Sequence, residues 1–271
     1  MSPLLSRIAF AVPLAVVAVY AALAGGWALT ALVLAVALLA LHEFYAMAQE
    51  LRPVSIAGFG GVAGIVVGTH HAGIVWAPAA LAAALLFAFW LAAVSDVRQR
   101  AVVRLAVTVL GAAWIGLGAA FIVAVRDVGG PSDWGRVLLL AVLIGVWASD
   151  IAAYFGGRLF GSRRLAPGIS PGKTVEGFLI GLVVGVAAVF FWVYDQPRGD
   201  PLSPANAFEL ALVIALAAPA GDLFESFLKR DLGVKDSGRL LGEHGGVLDR
   251  IDAMLFAGSA AYFLCLSLGR T

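Results

Sequence analysis

In the segment GDLFESFLK, Asp222, Glu225, Ser226 and Lys229 recur at i, i+3, i+4 and i+7, which puts all four on one helix face. Asp249 and Asp252 repeat the i, i+3 spacing where the next apolar run begins, just after HGG. Between these stripes lies KRDLGVKDSGRLLGEHGGVLDR, residues 229–250, with three aspartates, one glutamate, two lysines, three arginines, a histidine and five glycines. Carboxylates such as Asp222 and Asp249, approaching from facing helices and completed by water and phosphate oxygens, suit Mg²⁺, which rarely occupies an all-protein cage. Plainer uses exist for the same residues. The stripe on the first helix would also serve as an internal salt bridge, and two aspartates at a helix start complement its dipole.

A second group precedes another apolar run, in GSRRLAPGISPGKTVEG, residues 161–177. GISPGKT is not a P-loop, because three residues rather than four separate Gly168 from the Gly-Lys pair, and no strand is expected before it. The expectation is a helix capped by Ser170, with Pro171 in its first position. Lys173 and Thr174 would then sit at a helix N-terminus that attracts phosphate. In the preceding run Trp147, Asp150 and Tyr154 share a face, and Asp150 is expected to point into the same interior.

These groups are set in a chain of 271 residues that is 62% hydrophobic and 13% charged, about half the charged share of a soluble domain. About 20 apolar residues cross a bilayer. Nine candidate spans follow, near 8–24, 26–48, 54–68, 72–95, 105–125, 137–156, 174–194, 207–228 and 251–268. The fold expected is all-α and polytopic, one membrane domain over 1–271, with N-terminal spans in 1–130 and the chemistry in 137–268. The first span is read as retained, since its apolar stretch of 17 residues is long for a signal peptide. Cys265, the only cysteine, excludes an internal disulfide. A net charge of +1 says nothing about partners, and no nucleic-acid partner is expected.

If the spans alternate, only Arg126, Arg136, Arg198 and Arg270 of the eighteen basic residues fall on one side, and fourteen share the side of the charged loop. By the positive-inside rule that side, with the N-terminus, is cytoplasmic. Glu43 and Glu209 lie near span ends and are expected to reach water. His70 and His71 are expected at the surface on the opposite side, HEFY at 42–45 lacks the second histidine of a zinc motif, and His244 is the functional candidate among the four.

From Ser226 to Asp252 the frame of Ser226, Lys229-Arg230, Lys235-Asp236, His244-Gly245-Gly246, Asp249-Arg250 and Asp252 resembles the signature of phosphatidate cytidylyltransferases. SPGKTVEG at 170–177 and the Asp150/Tyr154 pair resemble further features of that family. Gly242-Glu243 stands where a Pro-Gly is usual, and Gly172 where a second lysine is. The resemblance implies transfer of CMP from CTP to phosphatidic acid, giving CDP-diacylglycerol and pyrophosphate. It also implies Mg²⁺, with or without a second cation, an inner-membrane location, a pocket at the cytoplasmic interface, and a homodimer. The site residues expected on this basis are Lys229, Arg230, Lys235, Asp236, His244, Arg250 and Asp252 for the chemistry, Ser170, Lys173, Thr174, Ser226 and Asp150 for substrate, and Asp222 and Asp249 for the metal. Two other readings use similar residues: a CTP-dependent polyprenol kinase, which needs a base for a hydroxyl, and a cation-coupled transporter centred on Asp150, Asp222 and Glu225.

Overall fold

The computed structural model describes residues 3–95, 100–129, 133–194, 196, 202–238 and 245–269, with only the backbone described for 3–11. Runs of alanine, valine and leucine make helices because a spanning backbone must satisfy its own hydrogen bonds in hydrocarbon. The helices are α1 (Pro3–Ala24), α2 (Gly26–Met47), α3 (Ser55–Ala72), α4 (Ala77–Val94), α5 (Ala101–Gly111), α6 (Gly118–Asp127), α7 (Trp134–Phe160), α8 (Val175–Tyr194), α9 (Pro204–Asp231) and α10 (Leu248–Ser267). A π-helical stretch, Ala112–Leu117, joins α5 to α6 in one continuous rod.

Among the described residues seven helical segments are long and apolar enough to cross a membrane: α2, Ile74–Val94, Ala101–Asp127 and α7 to α10. These coincide with seven of the nine expected spans. α1 offers a shorter apolar stretch, Val12–Ala24, and glycine-rich α3, ending in His70-His71, is not among the seven. The molecule is an all-α polytopic membrane protein. Its outer faces are apolar, with Leu86, Phe89 and Trp90 on α4 and Val183 and Phe191 on α8 all exposed.

Gly177, Gly181 and Gly185 recur every fourth residue along α8. A methyl group on any of them would press into Ala153, Gly157, Ser149 or Gly145 of α7, so the two backbones touch, as small residues permit in membranes. Gly221 does the same between α9 and α10, facing the Asp252 carbonyl. These close approaches set the polar residues of α7, α9 and α10 near one another.

Between α7 and α8 the chain forms an antiparallel hairpin, β1 (Arg164–Ala166) with β2 (Ser170–Thr174), pairing Arg164 with Thr174 and Ala166 with Ser170. The helix expected to begin at Pro171 begins at Val175 instead. Ser170 does not cap it. Thr174 does, its Oγ1 accepting the Gly177 N–H at 3.1 Å. The strand wins because β1 offers Ser170 to Thr174 a ladder partner that local propensity does not foresee.

Candidate active site

The hairpin is held by both of its neighbours. Glu176, in the first turn of α8, accepts from the Ser162 hydroxyl at 2.5 Å and from the Ser162 and Arg163 N–H groups at 3.0 and 3.2 Å. Arg230, in the last turn of α9, donates through Nε to the Ile169 carbonyl at 3.1 Å. With its strand so fixed, Lys173 reaches α9 and pairs with Asp222, Nζ to Oδ2, at 2.7 Å. Ser226, one turn on, donates to the other Asp222 oxygen at 3.3 Å.

Beneath the hairpin, α7, α8 and α9 enclose a cavity of about 660 Å³. Asp150, Arg158, Arg164, Lys173, Thr174 and Asp222 form its polar wall, while Ala153, Phe178, Leu182, Ala215 and Pro219 line the rest. Asp150 lies within electrostatic reach of Asp222 and Lys173, as expected from its helix face. Tyr154 also lines the cavity, its hydroxyl 3.4 Å from Arg158 Nη1. Trp147, on the same face in the sequence, instead packs into the apolar core.

Behind this wall sits a buried ionic cluster. Lys229 Nζ lies 2.9 Å from Glu225 Oε2 and 2.6 Å from Asp249 Oδ1. The remaining Asp249 oxygen accepts the Gly246 and Ser237 N–H groups at 2.8 and 3.3 Å. Asp252, buried one turn further along α10, feels the charges of both Asp222 and Glu225. The plain salt-bridge reading of the stripe is thus correct for Glu225 and Lys229, whereas Asp222 lines the cavity and Ser226, buried and outside the lining, donates to Asp222. Three carboxylates, Asp222, Glu225 and Asp249, share the two lysines paired with them.

Other expected residues lie apart from the cavity. Ser170 sits in β2 and does not line it. Lys235 and Asp236 are exposed on the turn after α9, and Arg250 is exposed on the first turn of α10. His244 falls outside the described residues. Glu209 is exposed, whereas Glu43, expected to reach water, is 3% exposed and accepts the N–H of Leu248 at the start of α10. His70 ends α3 and is half-buried, against Thr30 and Trp27. Sequence reasoning missed Arg158, Arg164 and Glu43 as site residues. The two arginines were visible only as loop charges, and Glu43 as one acid in an apolar helix.

A cytidylyltransferase family model matches residues 5–268, nearly the whole chain. The chain belongs to the cytidylyltransferase family. Among curated relatives, it is 46% identical over 124 residues to a phosphatidate cytidylyltransferase of Helicobacter pylori, covering 46% of this chain and 45% of that one. It is 44% identical over 126 residues to that of Haemophilus influenzae, covering 45% and 43%. With the Bacillus subtilis phosphatidate cytidylyltransferase it shares 37% identity over 155 residues, 57% and 56% of the two chains. The chain thus spans about half the length of the curated relatives it matches.

Proposed function

We propose that this protein transfers the cytidylyl group of CTP to phosphatidic acid, releasing pyrophosphate, at the cytoplasmic face of an inner membrane. The cavity carries this reading: three cations and two carboxylates line it beside apolar residues of the spans. A water-soluble nucleotide and a lipid phosphate need such a boundary, with the acyl chains kept in hydrocarbon. The family membership and the names of the relatives support the nucleotide and the lipid. With the nine expected spans alternating, fourteen of the eighteen basic residues share the side of the charged loop, which supports the orientation.

Mg²⁺ fits the carboxylates present. A carboxylate offers about four acceptor positions. Asp222 uses its oxygens for Lys173 and Ser226, and Asp249 uses its own for Lys229, Gly246 and Ser237, so acceptor capacity remains on both. When bound by Asp222 and Asp249, Mg²⁺ would supply charge neutralisation for the attacking and leaving oxygens.

The chain's own part is positioning and charge. Lys173, Arg158 and Arg164 face the cavity and bind phosphate oxygens, bringing two anions together. The lipid phosphate is already ionised near neutral pH, so its oxygen attacks the α-phosphorus without a general base, and pyrophosphate leaves in line. Lys229 holds Asp249 in place, and Arg230 holds the hairpin that carries Lys173.

CTP labelled at one phosphorus tests the reaction. Label from the α-phosphorus should enter the lipid phase with phosphatidic acid. Label entering from the γ-phosphorus, with a polyprenol acceptor, would replace this reading with the kinase.

A further inference from the structure

Glu43 is the acidic residue that joins the N-terminal half of the molecule to the chemistry of the second half. It lies near the end of α2, almost fully buried, with hydrophobic Leu41, Phe44 and Tyr45 buried around it. Its Oε2 accepts the Leu248 N–H, the first of α10, at 2.9 Å and the buried Ser237 hydroxyl at 3.3 Å. Oε1 is buried and has no hydrogen-bond partner among the described residues. A buried carboxylate is costly unless its contacts repay the lost hydration.

The contacts of Glu43 mirror those of Asp249. Asp249 takes the Ser237 N–H and the Gly246 N–H; Glu43 takes the Ser237 hydroxyl and the Leu248 N–H. Two carboxylates from opposite directions therefore grip the same two places, Ser237 on one side of the charged segment and residues 246–248 on the other. The fit is close. A methyl group at Gly238 or Gly246 would run into the Glu43 carboxylate. Gly245, at φ +80°, turns the chain so that Gly246 can donate.

We infer that Glu43 is a positioning residue for cytidylyl transfer: it anchors Ser237 and the 246–248 turn beside Leu248, and so fixes Asp249 and Lys229 where the reaction needs them. This inference rests on the function proposed above. Glu43 touches no described residue of the cavity wall and acts through the segment it holds. It also gives the N-terminal spans a part in the chemistry, through α2.

Hydrogen exchange over residues 235–248 and steady-state pyrophosphate release, both on the full chain in lipid nanodiscs, test it with Glu43→Gln, Glu43→Asp and Ser237→Ala. Glu43→Gln places an amide N–H₂ or a weaker acceptor against two donors. It should speed exchange in that peptide alone and lower kcat about tenfold or more, with little change in the KM for CTP, as loss of an outer support does. Glu43→Asp should recover part of both. Ser237→Ala combined with Glu43→Gln should cost less than the product of the single effects, because they share one bond. Unchanged exchange at 235–248 in Glu43→Gln would overturn the inference, as would loosening spread evenly over all helices, which would make Glu43 a general packing residue. Should the unaltered protein release no pyrophosphate, the functional reading fails and the positioning role fails with it, while the exchange result still decides whether Glu43 holds the segment.

Discussion

Lys173 Nζ and Asp222 Oδ2 stand 2.7 Å apart in the lining of the cavity, joining the hairpin to α9. Both side chains keep water contact, 25% and 36% exposed, and such half-exposed pairs contribute about 0–1 kcal/mol to stability. Folding therefore gains little from the pair, and its value lies in presenting a cation and a carboxylate to the same space. Lys173→Met should leave thermal stability within about 1 kcal/mol of the unaltered protein. Pyrophosphate release should fall about 100-fold, the scale of losing one preorganised charge donor. A melting curve and an initial-rate assay on one preparation check both halves.

The start of α8 gives a different expectation. Thr174 is buried, and its Oγ1 caps the helix through Gly177. Thr174→Ala should destabilise by about 1 kcal/mol, and Thr174→Ser should restore most of it, since either hydroxyl caps. Denaturant or thermal unfolding in detergent measures this. Ser170→Ala should be close to neutral in the same assay, because Ser170 lies in the strand and caps nothing.

Much of this site was legible in the chain because helical spacing carries it. The stripe Asp222, Glu225, Ser226, Lys229 lies on one helix as read, and Asp150 and Lys173 meet at the same cavity. What spacing could not show was the short hairpin, whose ladder depends on Arg164 meeting Thr174. Nor could it show the division of the stripe, with Asp222 turned toward Lys173 and Glu225 toward the Lys229 cluster. Glu43 was read as water-reaching from its place near a span end. Its burial arises from a segment some two hundred residues later folding over it, which no local pattern records. The helix starts and ends were close, and α3 shows the limit: a helix forms over 55–72, yet glycine and histidine keep it out of the clearly apolar set.

The buried cluster should respond unlike the exposed pair. Lys229 sits between Glu225, 1% exposed, and Asp249. Lys229→Met leaves two buried carboxylates without their cation and should cost about 3–5 kcal/mol. Adding Glu225→Gln removes one uncompensated charge and should recover part of the loss. Thermal unfolding of the single and double variants gives the comparison, and equal instability in both would contradict this account of the cluster.

The most direct test is pyrophosphate release by the purified protein in detergent with CTP, Mg²⁺ and phosphatidic acid, each omitted in turn, alongside Asp222→Asn and Asp249→Asn. Release should require all three additions and collapse in both variants while each remains folded. Folded protein that releases no pyrophosphate with all three present, or full activity in Asp222→Asn, would contradict cytidylyl transfer at this cavity.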